Sequence, residues 1–220
     1  DDNARALLLA CALNEPGEHP LSESQTGRFA AFVQHAWNPD ARRFRNFMGF
    51  NRTWLEDEGS EDSHGRTLWA LGECARKDAS RSRRRWAAAL FAEALSTAAA
   101  FRSPRAMAFT LLGLDAYCAA APEDQRAREI RHSLADTLVS ALALVETPDW
   151  VWFEEVLAYD NARLPQALIA TGLATQTPAY VDAGLRSLRW LMTLQTTSTG
   201  HFRPVGTTSF GELRKPPGAF

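Results

Sequence analysis

The chain has 220 residues, 45% of them hydrophobic and 23% charged, and its 24 Lys and Arg against 26 Asp and Glu give a formal charge of −2. That length can bury one sizeable core and favours a single domain over 1–220. The near-balanced charge argues against a phosphate-backbone binder, and neither a long apolar run nor a charged-then-apolar leader occurs, so no nucleic-acid or membrane partner is expected and a soluble, cytoplasmic protein is.

Apolar residues at helical spacing mark eight segments, at about 3–14, 23–37, 64–77, 82–101, 104–120, 124–145, 161–174 and 178–195. The first opens on Asp2-Asn3-Ala4-Arg5 and is followed by the short link Glu15-Pro16-Gly17. Between the second and third segments, Phe44, Phe47 and Phe50 surround Asn46 and Gly49, a pattern that suits a short extended piece. The third segment begins at Ser63-His64-Gly65-Arg66 and the seventh at Asp160-Asn161-Ala162-Arg163, so a polar signature recurs before runs rich in Ala and Leu. Trp150-Val151-Trp152-Phe153 is a second candidate extended piece. The fold class expected is all-α.

The segments fall into two alternating kinds. Those at 3, 64, 104 and 161 are Ala/Leu/Gly-rich with little charge and read as buried helices, whereas those at 23, 82, 124 and 178 carry charge on one face. Arg5, Arg66, Arg105 and Arg163, which enter the buried set, stand one helical hairpin plus a loop apart. Stacked hairpins of this kind build an α-solenoid or a closed ring, and the recurring signatures would then gather on one rim.

Tyr159-Asp160-Asn161-Ala162-Arg163-Leu164, together with Glu61-Asp62-Ser63-His64-Gly65-Arg66-Thr67-Leu68-Trp69-Ala70-Leu71-Gly72, resembles the six-hairpin (α/α) toroids of carbohydrate-active enzymes. The second stretch is similar to bacterial toroid domains found alone or fused to glycosyltransferases. The resemblance implies an (α/α) toroid acting on an oligosaccharide, with a fused or neighbouring glycosyltransferase as a partner. Four hairpins are visible where that family has six. The chain also opens on Asp1-Asp2 without Met and closes on Arg214-Lys215-Pro216-Pro217-Gly218-Ala219-Phe220, which reads as a loop, so a portion of a longer chain is expected.

Glycosidic chemistry needs two carboxyl groups across a pocket. Asp62 and Glu155 are the leading pair because each stands beside aromatic or polar residues, while Glu56, Asp57 and Glu58 read as a solvated charge run. Asp2 and Asp160 are in reserve, since helix capping explains an Asp at a helix start equally well. Pro165 is best tolerated in a first helical turn, which shifts the helix start to about Arg163 and leaves Asp160 and Asn161 in the loop. Arg5, Trp54, His64, Arg66, Trp152, Asn161, Arg163 and His201 are the candidate sugar-binding residues, by bidentate hydrogen bonding or ring stacking. For His64 a structural hydrogen bond is an equal alternative, and for the arginines so is the bracing of rim acids.

No cofactor is expected: the sequence lacks a phosphate loop, a nucleophile elbow and a dinucleotide fingerprint. No metal is expected either, because no two histidines have helical ligand spacing, and Cys11, Cys74 and Cys118 read as reduced core thiols. The alternatives to a glycoside hydrolase-like enzyme are a non-catalytic accessory domain of a glycosyltransferase, a sugar epimerase or isomerase, and a glycoside phosphorylase.

Overall fold

The computed structural model describes residues 1–15, 17–206 and 209–216. Pro16 of the expected Glu15–Gly17 link, and residues 217–220 of the expected C-terminal loop, lie outside them. The described chain is predominantly helical: α1 (Asp2–Ala12), α2 (Glu23–Ala36), α3 (Glu61–Lys77), α4 (Arg81–Ala94), α5 (Pro104–Ala120), α6 (Gln125–Val145), α7 (Arg163–Thr175) and α8 (Pro178–Leu194). A two-stranded antiparallel ribbon, β1 (Trp37–Asn38) with β2 (Arg43–Phe44), follows α2. Among the described residues no helix is long and apolar enough to cross a membrane.

Local chemistry sets the helix starts. Ser22 forms a reciprocal capping box with Gln25, Ser60 accepts from the Ser63 amide, and Ser103 accepts from the Ala106 amide with Pro104 at the first helical position. Because Ser60 is the cap, α3 starts three residues before the expected 64, and Ser63-His64-Gly65-Arg66 lies inside its opening turns. The expected helix over 82–101 is α-helical only to Ala94 and continues as a 3₁₀ helix over Leu95–Ala100. At this junction the Ala94 carbonyl meets His64 Nε2 at 3.1 Å and Thr97 Oγ1 at 3.2 Å.

Two compact units are present, 1–132 and 133–220, divided within α6. In unit 1, α3 packs against α1, α4 and α5. Its contacts with α5 keep a constant sequence offset: a Cβ on Gly65 would meet the Ala106 oxygen at 2.5 Å, and one on Gly72 would meet the Gly113 oxygen at 2.1 Å. A constant offset means that α3 and α5 run parallel with backbones touching, which glycine permits because it has no Cβ. The contacts of α1 with α3 run in the same direction, from Asp1–Arg66 at one end to Cys11–Cys74 at the other. Three helix starts therefore share one end of unit 1, and Leu7, Leu68, Leu71, Phe109, Leu111 and Leu114 are buried on these helices.

In unit 2, α7 and α8 form an antiparallel hairpin, closely packed where Gly172 meets Val181 and Gly184 meets the Pro165 carbonyl. The left-handed Gln176 makes the turn. Before this hairpin, the loop from 146 to 162 packs Trp150, Trp152 and Phe153 inward: Trp152 stacks on Trp190 at 5.8 Å, and Trp150 meets Trp190 edge-on at 4.9 Å.

Candidate functional site

Each unit carries one Asp-Asn-Ala-Arg sequence; the copy in unit 2 lines a cleft along its whole length, and in unit 1 Asp2 and Asn3 do so. In unit 2 a cleft of about 540 Å³ is lined by Tyr159, Asp160, Asn161 and Arg163 on one side and by Gln195, Phe202, Pro204 and Val205 on the other. Helix α7 begins at Arg163, with Pro165 in its first turn, so Asp160 and Asn161 are loop residues as the proline position implies. Asp160 has a left-handed φ of 49°, a conformation that Asp tolerates better than most residues. Asn161 is buried and fixes this turn, its Oδ1 accepting from the Ala158 amide and its Nδ2 donating to the Ala158 carbonyl. Arg163 is half-buried, with Nη1 donating to Gln166 Oε1 at 2.6 Å. Across the cleft Phe202 is 73% exposed and Tyr159 43%, so two aromatic faces meet solvent beside an acid, an amide and a guanidinium.

In unit 1 a cleft of about 580 Å³ is lined by Asp1, Asp2, Asn3, Phe32, Asn46, Phe47, Met48 and Gly49. Asp2 is exposed at the first position of α1, whose cap position is Asp1. Phe47, 60% exposed, again sets a ring next to an acid. Arg5 is exposed and pairs with Asp1 at 3.3 Å, while Arg66 is buried, with Nε 2.7 Å from Asp1 Oδ1 and its guanidinium 4.0 Å from the Phe109 ring centroid. These two arginines flank Asp1, the bracing arrangement anticipated for rim acids.

Asp62 lies in the first turn of α3 and accepts from Ser103 Oγ at 2.5 Å, while Glu61 accepts from the Arg102 and Ser103 amides at 2.8 Å each. The two acids close the start of α5, and no sequence-local signal pointed to Ser103 as the partner. Glu155 is exposed in unit 2 and ion-paired to Arg214, whose guanidinium holds the carboxyl below its ordinary range. A carboxyl held ionised suits a base or nucleophile and not the proton-donating partner, whose pKa must be raised.

His64 is fully buried and its ring serves the fold: Nδ1 takes the Phe44 amide at 3.4 Å, while Nε2 faces the Ala94 carbonyl and Thr97 Oγ1. Burial drives its pKa from 6.5 down to about 3. Trp152 is also fully buried, so its faces meet Phe153 and Trp190 in the unit 2 core. Trp54 is half-buried between Phe32 and His35, with Arg45 over its ring. His201 is exposed next to Phe202, and its Nδ1 bonds to Thr199 Oγ1 at 2.9 Å.

No family model, curated protein or solved structure matches this chain. The cleft residues that sequence reading did not single out are Phe202, Gln195, Asn46 and Phe47. For the two phenylalanines the available signal was their place beside glycine in loops, at Gly200-His201-Phe202 and Phe47-Met48-Gly49.

Proposed function

We propose that this chain is a carbohydrate-active domain of the helical-hairpin toroid kind that takes an oligosaccharide at the Asp160 cleft and hydrolyses it by carboxylate acid/base chemistry. One observation carries the reading: the whole Asp160-Asn161-Ala162-Arg163 signature, and Asp2-Asn3 of its unit 1 copy, line concave clefts with a solvent-facing aromatic beside the acid. An aromatic face covers the C–H surface of a sugar ring, while carboxylate, amide and guanidinium groups satisfy its hydroxyls, so the two kinds of group are needed together. The parallel α1, α3 and α5 support the toroid, because hairpins that repeat around a ring set their inner helices side by side in one direction. Asp160 supplies the carboxyl at the cleft, Asp2 its counterpart in unit 1, and Arg163, Tyr159 and Phe202 hold the sugar. Glu155, on the same loop as Asp160, is the second carboxyl proposed for the proton transfers.

A second reading is an accessory domain, attached to a glycosyltransferase, that binds sugar without cleaving it. It is favoured by the structural bonds in which Asp62 and Glu155 are already engaged, with Ser103 and Arg214. One experiment addresses both. An oligosaccharide panel, with and without phosphate, is assayed for bond cleavage and, by saturation-transfer NMR, for binding. Cleavage that is lost in Asp160→Asn and binding that is weakened at least about tenfold in Phe202→Ala are the expected results. Binding without cleavage selects the accessory reading, and no binding to any member of the panel overturns both.

A further inference from the structure

At the far end of α1 and α3 from the signatures, three potential metal ligands converge. Cys11 Sγ, Cys74 Sγ and a carboxylate oxygen of Asp78 all lie within 4.8 Å of one another, and all three residues are buried. Twelve helical residues separate Asp62 from Cys74, about 18 Å along α3, so this cluster is distinct from the signature end. We propose that Cys11, Cys74 and Asp78 form a zinc site.

Three features carry the assignment. The first is spacing: Cys74 Sγ is 3.6 Å from Asp78 Oδ2. Tetrahedral zinc with bonds of about 2.3 Å to sulfur and about 2.1 Å to oxygen sets those two ligands about 3.6 Å apart. The second is the orientation of Asp78. Its Oδ1 accepts from the Ser80 amide at 2.7 Å and from Arg83 Nη2 at 2.8 Å, and Arg83 Nε reaches Oδ2 at 3.0 Å, which fixes the carboxylate with Oδ2 also facing the Cys74 thiol, as an outer shell does for a metal ligand. The third is charge. Two thiolates and a carboxylate against Zn²⁺ and the Arg83 guanidinium sum to zero, so the loaded site brings no net charge into the interior. The Arg83 carbonyl oxygen, 3.9 Å from Cys74 Sγ, offers the fourth ligand.

Without metal the Cys74 thiol donates to Asp78 Oδ2 and is held protonated, its pKa raised by the neighbouring Cys11 thiol, by burial and by Asp78. Zinc binding forms two Zn–S bonds and two Zn–O bonds, to Asp78 and to the Arg83 carbonyl, breaks two S–H bonds and releases both protons to solvent. Cys11 and Cys74 are separated by the end of α1, all of α2 and most of α3, so the site ties two helices that meet only in the tertiary fold.

The test uses the whole reduced chain after chelator treatment, titrated anaerobically with Co²⁺. One equivalent is expected to produce thiolate-to-cobalt charge-transfer absorption and the intense visible bands of four-coordinate cobalt, both abolished by added Zn²⁺. Cys11→Ser and Cys74→Ser lose the signal, Cys118→Ser keeps it, and Asp78→Asn weakens the affinity at least about tenfold. Should a cysteine variant fail to fold, the unmodified chain suffices: one Zn²⁺ raises its melting temperature and releases two protons into weakly buffered solution. Absence of a charge-transfer band in the folded, reduced chain, or its survival without Cys11, overturns the site. So does a reduced chain that takes no cobalt yet forms a Cys11–Cys74 disulfide with oxidised glutathione.

Discussion

Replacing Gly72 by Ala tests the parallel α3/α5 contact directly. The added methyl would stand 2.1 Å from the Gly113 oxygen, 2.8 Å from its carbonyl carbon and 2.9 Å from its Cα. All three are backbone atoms, so no side-chain rotation relieves the clash. Ordinary contact begins near 3.4 Å, and the helices must part by roughly 1.3 Å at this point. A methyl on Gly113 would likewise stand 2.6 Å from the Leu68 carbonyl oxygen, so the approach is close from both sides of the crossing. Overpacking against rigid backbone costs about 3 kcal/mol, and the better helix propensity of Ala returns about 1 kcal/mol, for a net loss of about 2 kcal/mol. Gly27→Ala is the control: it lies on α2 with nothing within 4 Å of the new methyl, so propensity alone acts and stability rises by about 0.5–1 kcal/mol. Urea unfolding followed by far-ultraviolet circular dichroism measures both variants. If Gly72→Ala matches or exceeds the unmodified protein, the close parallel contact is refuted.

Acid stability should report His64. Its folded pKa of about 3 lies below the 6.5 of the free side chain, so the unfolded chain binds the extra proton between those values, and stability is complete above pH 6.5 and falls as pH drops toward 3. The total loss over that range amounts to about 4–5 kcal/mol at most, and His64→Gln should flatten the profile; parallel pH profiles of urea midpoint for the two proteins would contradict this assignment. Arg83→Leu strands the buried Asp78 carboxylate and should cost about 3–5 kcal/mol, whereas Glu23→Gln, on the exposed side of the same arginine, should cost under about 1 kcal/mol; equal losses in chemical denaturation would exclude a buried pair. Ser22→Ala removes the capping box of α2 and should lower stability by about 1 kcal/mol, visible as a reduced thermal midpoint.

Much of the helical framework can be read from local pattern, because periodicity and caps act within a few residues. Pro165 placed the start of α7 at Arg163, and the Ala/Leu/Gly-rich runs mark α3 and α5, whose residues are mostly buried. What failed depends on distant partners. The change from α to 3₁₀ after Ala94 falls where His64, thirty residues earlier, meets the Ala94 carbonyl, a partner that no window centred on α4 contains. Asp62 meets Ser103 only because α3 and α5 are parallel. Trp152 sits in an irregular loop with no period to declare its inward face, and it is buried although loop tryptophans suggested an exposed sugar platform. The Cys11–Cys74 approach escaped for the same reason: ligand-spacing rules search along one helix, and this pair spans two.

Arg214 gives unit 2 a property that its helices alone would not provide. Its amide donates to the Glu155 carbonyl at 2.6 Å, and its guanidinium reaches both the Glu155 carboxylate and the Val145 carbonyl. The backbone between these anchors contains the whole of α7 and α8, so one side chain fastens the hairpin into a closed circuit without a covalent link. Such a fastening narrows the excursions of the segment it encloses, yet it stands in water, where salt screens its ion pair and leaves its bonds to the Glu155 and Val145 carbonyls in place. Raising the ionic strength should therefore slacken the carboxylate contact first, with the circuit still held through the backbone.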